Sequence, residues 1–411
     1  MIKPQTLKGF RDFLPLEARK RQYVINTLKE VFALYGFEPL ETPALEYEEI
    51  LTGKYGEEGD KLMYKFKDLG RRSVALRYDQ TVPLARVVAE YGDKLPRPFK
   101  RYQISPVWRA ENTQRGRYRE FLQCDIDIVG SSSQLSDAEI VCAAAASLNK
   151  LGFKKYKIFL NDREMFANLS EDIIQVLDKL KKIGAEGVIK ELREKKLVSK
   201  KATPEQLLND FKSAKPTKDL KDIMTLLNKM GLNKEQYEFS PTLARGMNYY
   251  TGLIFEIEID GYTAGSICGG GRYDNLIGIF AGKKIPAVGL AFGFDRTLEA
   301  MEALQLFPAD LALSTTQVLV TIFSDELKEK SMQAGSRLRA NNINTEIYLG
   351  EIKDKNPYEK QLKYADQKNI PYVLILGPEE AQNNIVTVKN MKTREQIQLT
   401  LDEIIENLQA N

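Results

Sequence analysis

The sequence predicts an α+β protein that carries a separate α/β domain at its C-terminal end. Three patterns lead to this prediction. Residues 99–130 have the pattern of two strands joined by a polar, basic turn. Residues 165–238 are rich in lysine and glutamate, with helical spacing and few aromatic residues. From residue 317 onward, strand-like and helix-like segments alternate, which is typical of a small α/β domain with a mixed sheet.

The composition is that of a folded protein without a strong charge bias. Apolar residues make up 43% and charged residues 28% of 411 residues, a length that suits two or three domains. The 60 basic and 57 acidic residues give a net charge of +3, so any contact with nucleic acid depends on local patches. The absence of histidine excludes an imidazole base, a Ser-His-Asp triad and a His-ligated zinc site.

The cysteines and the N-terminal segment both indicate a reducing compartment. Cys124, Cys142 and Cys268 form no CxxC pair, which argues against a structural zinc site. The first fifteen residues lack the apolar core of a signal peptide, and no apolar run is long enough to cross a bilayer. We therefore expect a cytoplasmic protein.

The predicted hairpin within residues 99–130 has residues suited to a substrate of mixed charge. Its strands are Lys100–Trp108 and Arg119–Val129, and the turn between them contains Arg109, Glu111, Asn112, Arg115 and Arg117. Guanidinium groups bind phosphate bidentately. On the second strand, Gln123, Asp125 and Asp127 alternate and so share one face, where they could accept N–H groups. On pattern alone, a solvated hairpin with surface ion pairs fits equally well.

Two helices are predicted before residue 160. Glu17–Tyr35 has an apolar stripe and is ended by Gly36; the stripe either packs within its own domain or forms an interface. Ser136–Leu151 is predicted to begin with Ser136 as the capping residue and Glu139 at the capping-box position.

The last third of the chain divides into predicted elements around a linker at Pro308–Thr316. Before it, FEIEI at Phe255–Ile259 alternates as a strand does. After it, the order is a strand in QVLVTIF, a helix at Glu326–Arg339, a strand in TEIYL, a helix at Tyr358–Lys368 and a strand in YVLILG.

Four further segments contain candidate binding residues. In LRYDQTVPLA, Asp79 and Thr81 lie on one face if the chain is extended, although an Asp before a Thr is also a common turn or cap. The others are LARGMNYYTG with Arg245, Tyr249 and Tyr250, CGGGRYDNLI with Tyr273 and Asp274, and GLAFGFDR with Asp295 and Arg296. No Walker or Rossmann glycine motif is present, which disfavours a P-loop or dinucleotide fold.

Together these segments resemble the motifs of class II aminoacyl-tRNA synthetases, and in detail those of histidyl-tRNA synthetases. GRYREF and QCDID at Gly116–Asp127 resemble motif 2, and GLAFGFDR resembles motif 3. The helix, strand and Pro43 after Glu17 resemble motif 1, which forms the dimer interface in this class. LARGMNYYTG and CGGGRYDNLI resemble the two histidine-specific motifs. The resemblance extends from about Lys8 to about Leu408.

The resemblance implies a fold and a partner for each part of the chain. Residues 1–164 and 239–307 are expected to form an α+β catalytic domain with a central, mostly antiparallel sheet of the class II type. Residues 165–238 are expected to form a helical insertion that clamps the tRNA acceptor stem, and residues 316–411 an α/β anticodon-binding domain. A homodimer is expected as well.

The resemblance also implies the reaction and the residues that perform it: activation of histidine by ATP with Mg²⁺, then transfer to tRNA(His). Arg245 and Arg109 would be catalytic, flanking the α-phosphate. ATP would be held by Arg109, Glu111, Arg117, Phe121 and Arg296. Histidine would be held by Asp79, Thr81, Gln123, Asp127, Arg245, Tyr249, Tyr250 and Tyr273, with Tyr250 and Asp127 on the imidazole and Asp274 closing the pocket. No protein ligands to a metal are implied.

The chain departs from the family pattern at three places. Asn248 and Asp295 stand where the family usually has Asp and Glu, and Asn112 stands where a loop arginine usually meets the tRNA 5′ end, near Gln114 and Arg115. Two alternatives remain at this point: a synthetase-like regulatory or binding paralogue, and a class II synthetase for proline or threonine. The retained arginines and both histidine-specific motifs disfavour them, and the threonine enzyme's zinc site needs a histidine.

Overall fold

The computed structural model describes residues 2–54, 56–113, 117–197, 203–245, 249–312, 314–352 and 356–410. The chain divides into two compact units, Met1–Leu306 and Phe307–Asn411. Among the described residues no helix is long and apolar enough to cross a membrane.

The first unit is built on an eight-stranded sheet in the order β1-β5-β6-β11-β10-β9-β7-β8, beside a three-stranded sheet in the order β2-β4-β3. The strands are β1 (Glu38–Pro39), β2 (Leu45–Tyr47), β3 (Lys65–Lys67), β4 (Ser73–Leu76), β5 (Phe99–Trp108), β6 (Glu120–Val129), β7 (Tyr156–Asp162), β8 (Tyr237–Phe239), β9 (Leu253–Ile259), β10 (Cys268–Arg272) and β11 (Ala287–Gly293). In the large sheet, β1 with β5 and β7 with β8 are parallel, whereas the other pairs are antiparallel. The predicted mostly antiparallel sheet is therefore confirmed.

Helices cover and extend this sheet. They are α1 (Pro15–Leu34), α2 (Glu48–Leu51), α3 (Gly56–Lys61), α4 (Thr81–Tyr91), α5 (Gln134–Lys150), α6 (Glu171–Leu177), α7 (Leu180–Glu194, broken at Gly184), α8 (Pro204–Lys212), α9 (Lys218–Lys229), α10 (Gly278–Ala281) and α11 (Phe294–Ala303). Short 3₁₀ turns lie at Arg163–Phe166, Lys234–Gln236 and Ala309–Ala312, the last within the predicted linker.

The α1 stripe packs inside this chain. Val24, Leu28, Val31 and Phe32 are buried, and the helix contacts α5 and α11. The chain then turns at Gly36, whose φ of 70° lies in the left-handed region. The first of the two alternatives for this stripe, packing within its own domain, is thus the one observed.

The predicted cap of α5 is wrong by one turn. The helix begins at Gln134, and the Ser133 hydroxyl accepts a hydrogen bond from the Leu135 N–H at 3.2 Å. Ser136 instead bonds the Ser131 hydroxyl at 2.7 Å. Glu139, free of the capping role, forms an ion pair with Lys100 at 2.6 Å.

The segment from Leu76 to Ala85 is not extended, contrary to one expectation. Leu76 ends β4 and Thr81 begins α4. The Asp79 carboxylate accepts hydrogen bonds from the N–H groups of Thr81 and Val82, each at 3.1 Å. A carboxylate at a helix start satisfies N–H groups that have no partner within the helix, so the capping alternative describes this segment.

The lysine-rich region is helical as predicted and has its own apolar core. Phe166 and Phe211 stack with ring centroids 5.3 Å apart. Buried residues of α6, α7 and α8 surround them, and Tyr250 and Ile254 from the main sheet region join the same cluster. Lys200 and Lys201, near the middle of this region, lie outside the described residues.

The second unit is a mixed five-stranded sheet with helices, as predicted. Its strands are β12 (Val318–Val320), β13 (Thr345–Ile347), β14 (Tyr372–Ile375), β15 (Val386–Asn390) and β16 (Gln396–Leu399), in the order β13-β12-β14-β15-β16. Its helices are α12 (Lys328–Ala340), α13 (Pro357–Gln367), α14 (Pro378–Asn383) and α15 (Leu401–Ala410). The strands β13, β12 and β14 run parallel, β15 runs antiparallel to β14, and β16 runs antiparallel to β15.

Candidate active site

Two adjoining cavities of about 320 and 420 Å³ open on the large sheet and share a wall formed by Arg109, Arg117, Gln123, Arg245 and Arg296. The first cavity also contains Glu111 and Phe121. The second also contains Asp79, Thr81, Asp127, Tyr249, Tyr250 and Tyr273. Side chains predicted from five separate segments therefore meet in one place. We call the two spaces the upper cavity (with Phe121) and the lower cavity (with Asp127).

Arg109 is fixed at the boundary of the two cavities. It follows the last residue of β5, and its Nε donates to the Tyr78 carbonyl at 3.1 Å. Its guanidinium lies 4.3 Å from the Tyr78 ring centroid and 5.2 Å from that of Phe121. These contacts hold the cation at one position, with part of it facing the cavity.

Two further arginines line the upper cavity. Arg117 pairs with Glu111 at 3.3 Å, and Arg296, in the first turn of α11, donates to the Ser266 carbonyl at 3.0 Å. Arg296 is anchored through one nitrogen, which leaves other N–H donors of its guanidinium for an anion. With Arg109 and Arg245, these side chains form an arginine-rich wall suited to a polyphosphate.

Arg245 is held by a carboxylate from the neighbouring strand. Its Nη1 pairs with Glu256 on β9 at 2.8 Å, and its guanidinium lies 5.7 Å from the Tyr250 ring centroid. Burial acts to lower the pKa of Arg245, but Tyr250 and Glu256 outweigh it and the pKa is raised. The guanidinium is therefore a permanently charged group at the junction of the two cavities.

Gly269 leaves the space that Arg245 occupies. A Cβ atom at Gly269 would lie 2.3 Å from Arg245 Nη1, which is far inside van der Waals contact. The clash falls on the end of a flexible side chain, so the arginine can move while the strand stays in place. The glycine of β10 thus determines where the cation points.

We expect Gly269→Ala to slow amino-acid activation by about 10- to 100-fold, because a displacement of about 1 Å of a positioned group costs that much. ATP–pyrophosphate exchange measures the rate, and thermal unfolding measures the fold. Gly70→Ala is the matched control, since its Cβ would lie 3.3 Å from the nearest heavy atom, in a surface turn. Equal exchange rates for the two variants would contradict this role of Gly269.

Asp127 is the buried carboxylate at the base of the lower cavity. Its Oδ2 forms an ion pair with Arg101 at 2.7 Å, and its Oδ1 accepts a hydrogen bond from the Tyr273 hydroxyl. The hydroxyl bonded to Asp127 is therefore that of Tyr273, which was predicted in the same pocket. A Cβ at Gly289 would lie 1.9 Å from Oδ1, so only glycine fits beside this carboxylate.

The other polar residues of the lower cavity are positioned by the helix and the strand that contain them. Asp79 and Thr81 stand at the start of α4, where the helix N-terminus favours a carboxylate. Gln123 lies two residues from Asp125 and four from Asp127 on β6, so all three point to one face, as predicted. Burial raises the pKa of Asp125 well above its usual value.

Three tyrosines form the apolar side of the lower cavity. The Tyr249 ring centroid lies 4.8 Å from that of Tyr250 and 5.9 Å from that of Tyr273. Tyr250 also packs in the core of the helical region, so this wall of the cavity depends on residues of α6 to α8. An aromatic, half-polar space of this kind suits a planar ring with N–H groups.

One expected site residue lies elsewhere, and the positions that depart from the family pattern can be placed only in part. Asp274 does not close the lower cavity: it pairs with Arg272 at 3.2 Å and lines a different cavity of about 540 Å³. Asp295 pairs with Arg11 at 2.9 Å and with Arg21 at 3.2 Å, which gives this carboxylate a structural role at the start of α11. Asn248, Gln114 and Arg115 lie outside the described residues.

Sequence reasoning missed three residues of the site: Arg101, Glu256 and Gly289. Arg101 and Glu256 are charged residues within predicted strands, and each pairs with a residue of the site. A charge inside a strand signals a buried partner, but which residue is the partner depends on the folded arrangement of the chain, which the sequence does not state. Gly289 is one of the glycines of GLAFGFDR, and only the packing of Asp127 against it shows why it is needed.

Comparison with known proteins agrees with this geometry. A family model for histidyl-tRNA synthetase matches residues 9–297, and one for an anticodon-binding domain matches residues 317–411. The histidine–tRNA ligase of Cytophaga hutchinsonii is 38% identical over 99% of this chain and 100% of its own length, and that of Bacteroides fragilis is 40% identical over 98% of each. The crystal structure of histidyl-tRNA synthetase from Nostoc is similar with a TM-score of 0.82 and 29% identity, over 99% of this chain and 100% of that one. The chain belongs to the histidyl-tRNA synthetase family.

Proposed function

We propose that this chain is a histidine–tRNA ligase, which activates histidine with ATP to histidyl-adenylate and then transfers the histidyl group to tRNA(His). The observation that supports this proposal most strongly is that the two cavities meet at Arg245. There an arginine-lined cavity suited to a polyphosphate meets a carboxylate- and tyrosine-lined cavity suited to an amino acid with a polar ring. The similarity to curated histidine–tRNA ligases over nearly the whole chain supports the same reaction.

The first step brings two anions together, so charge cancellation and alignment are what the site must supply. A histidine carboxylate oxygen attacks the α-phosphorus of ATP, the bond to the bridging oxygen breaks, and pyrophosphate leaves. We propose that Arg109 and Arg245 flank the α-phosphate, since they stand where the two cavities meet. Donors fixed before reaction stabilise the charge that develops at phosphorus without the cost of reorganisation. No base is required, which is consistent with a chain without histidine.

We propose that the other residues of the upper cavity hold ATP. Phe121 stacks on adenine with Arg109 behind it, Glu111 receives the adenine amino group, and Arg117 and Arg296 bind the β- and γ-phosphates. Among the described residues no group of three or more acidic, cysteine or histidine side chains could hold a metal ion. Because Mg²⁺ is usually bound through substrate phosphates with few protein ligands, we propose that it enters with ATP. Bound there, it would neutralise part of the phosphate charge.

We propose that the lower cavity binds histidine by both ends. Asp79, Thr81 and Gln123 receive the α-amino group, and Arg245 meets the carboxylate. Asp127 and the tyrosines receive the imidazole, with Tyr273 holding Asp127 and Tyr250 bonding the ring. A pocket whose buried polar groups match an imidazole discriminates against amino acids that would leave them unpaired.

Assembly and tRNA contacts complete the proposal. The helical region 165–238 is proposed to clamp the acceptor stem, and residues 316–411 to bind the anticodon. A homodimer in the cytoplasm is proposed, with the motif 1 region at the interface. An apolar groove there, lined by Leu40, Pro43, Leu45, Val87 and Tyr91, offers a surface for a second copy.

Amino-acid-dependent ATP–pyrophosphate exchange, measured across all twenty amino acids without tRNA, tests the first step and its specificity. We expect exchange with histidine and background exchange with the other nineteen. Addition of tRNA(His) should then give histidyl-tRNA, which acid-gel separation detects. Purified protein that exchanges with no amino acid would favour the regulatory paralogue, and exchange with proline or threonine would favour another class II synthetase.

A further inference from the structure

We propose that Arg101 is a positioning residue for histidine recognition: it keeps the Asp127 carboxylate anionic and oriented, so that the carboxylate accepts the imidazole N–H. This inference rests on the proposed histidine pocket. Arg101 itself does not line either cavity, and it would act through Asp127 alone.

Strand pairing brings the two side chains together. Arg101 on β5 is directly opposite Asp127 on β6, in the same hairpin that supplies Arg109 and Gln123. The Arg101 side chain is 0% exposed, and its Nη2 lies 2.7 Å from Asp127 Oδ2. Since Oδ2 faces the arginine, the other oxygen, Oδ1, is directed to Tyr273 and the pocket.

The arginine is poorly satisfied as a structural group. Its Nε and Nη1 have no hydrogen-bond partner among the described residues, and Nη2, beside the ion pair with Asp127, donates a long 3.4 Å hydrogen bond to the Gln80 carbonyl. Burying a guanidinium costs much free energy, and apolar residues of similar volume often replace buried ion pairs without loss of stability. The charge itself is therefore what this position supplies.

The groups around Asp127 explain why a cation is needed. Asp79 at the start of α4 adds negative charge, Asp125 lies on the same strand, the Tyr273 hydroxyl donates a hydrogen bond to Oδ1, and the facing residue of β11 is Gly289. Burial and Asp79 raise the pKa of Asp127, whereas Arg101 and the hydrogen bond from Tyr273 lower it and so favour the anion. A protonated carboxyl has less capacity to accept an N–H, so the pocket would lose its match to imidazole.

The test compares Arg101→Met with the wild-type chain in histidine-dependent exchange from pH 6 to 9. We expect the KM for histidine to rise by about 10- to 100-fold at neutral pH, as the loss of a hydrogen bond to a charged group would cause, with kcat and the KM for ATP nearly unchanged. The ratio of variant to wild-type KM should fall as the pH rises, because Asp127 regains its charge. Taking the ratio at each pH removes the titration of free histidine.

Arg101→Lys is the matched control, because it keeps a positive charge. We expect its KM ratio to stay within a few-fold of one and to be flat with pH. If Arg101→Met does not fold, as judged by thermal unfolding, Arg101→Gln carries the same test, since it keeps an N–H donor without the charge.

A KM ratio for Arg101→Met or Arg101→Gln that is independent of pH, or an equal rise in the KM values for histidine and ATP, would overturn the inference. So would a lysine variant as impaired as the neutral ones. Failure of the proposed function itself gives a different result, namely no histidine-dependent exchange by the wild-type chain.

Discussion

Arg245→Ala is expected to slow histidine-dependent ATP–pyrophosphate exchange by about 100- to 1,000-fold, as removal of one preorganised charge donor does in other enzymes. The expected loss of rate follows from the position of Arg245. Arg245 stands where the two cavities meet, paired at 2.8 Å with Glu256, so its charge is fixed before the substrates arrive. Developing charge at the α-phosphorus would then be met by a fixed positive charge in a partly dry site, where such an interaction is strong.

The loss should fall on kcat rather than on binding alone. An interaction that is stronger in the transition state than in the ground state lowers the rate of the chemical step when removed. Single-turnover formation of adenylate, with both substrates saturating, separates this effect from binding. Arg245→Lys should recover part of the rate, because it restores the charge but not the planar fork.

A matched control tests whether substitution of an arginine outside the site also slows amino-acid activation. Arg337 also forms an ion pair, with Asp402, but on the exposed surface of the second unit. We expect Arg337→Ala to leave amino-acid activation unchanged in the absence of tRNA. A fall of less than about tenfold for Arg245→Ala, or an equal fall for Arg337→Ala, would contradict the role assigned to Arg245.

The sequence predicts local patterns well in this chain. Alternation in residues 99–129 predicted the hairpin to within one residue at its ends, and β9 covers the predicted FEIEI strand. The alternating C-terminal segments predicted the mixed sheet, because a strand followed by a helix favours a parallel neighbour. These features follow from side-chain periodicity, which the sequence contains directly.

Competition among nearby side chains limited the prediction of helix starts. Ser133 and Ser136 are both good capping residues, and the sequence pattern favoured Ser136 because Glu139 follows it at the right spacing. In the structure Glu139 forms an ion pair with Lys100, a residue of β5 that is distant in sequence. The sequence around Asp79 likewise fits two structures. Asp79 and Thr81 have the spacing of residues on one face of an extended segment, but an Asp before a Thr also begins a helix, and the structure shows the helix start.

The contacts of Arg101, Glu256 and Gly289 with residues of the site could not be predicted, because they depend on strand register and on the folded arrangement of the chain. The motif residues that line the two cavities were found by their resemblance to a family. Arg101 on β5 and Gly289 on β11 each contact Asp127 across a strand pair, and Glu256 on β9 pairs with Arg245, which lies outside the strands. A shift of register by one residue would turn Arg101 to the opposite face of the sheet from Asp127.

Asp127→Ala is expected to raise the KM for histidine by about 100-fold or more, while the KM for ATP changes by less than about threefold. A site that hydrogen-bonds its substrate loses most of its discrimination when a buried partner is removed. The two KM values are expected to respond differently because Asp127 lines only the lower cavity, whereas Phe121, proposed to stack on adenine, lines only the upper cavity. Steady-state exchange with each substrate varied in turn measures both values.

The same substitution should also lower the free energy of unfolding, because it leaves Arg101 buried without its carboxylate. Breaking a buried pair in this way costs about 3–5 kcal/mol. Asp127→Asn keeps the shape of the side chain, so its effect on histidine binding is expected with a smaller loss of stability. Urea unfolding of both variants measures the difference.

Asp137 offers the control that separates recognition from stability. Like Asp127 it is a buried carboxylate paired with an arginine, here Arg272 at 2.7 Å, but it lines the neighbouring cavity and neither of the two substrate cavities. Asp137→Ala should therefore lower stability without changing the histidine requirement at a temperature where the protein stays folded. If both alanine variants raise the KM for histidine equally, the effect of Asp127 is a general loosening of the fold. If only Asp127→Ala does so, the carboxylate recognises histidine, and the arginine behind it belongs to the specificity of the pocket.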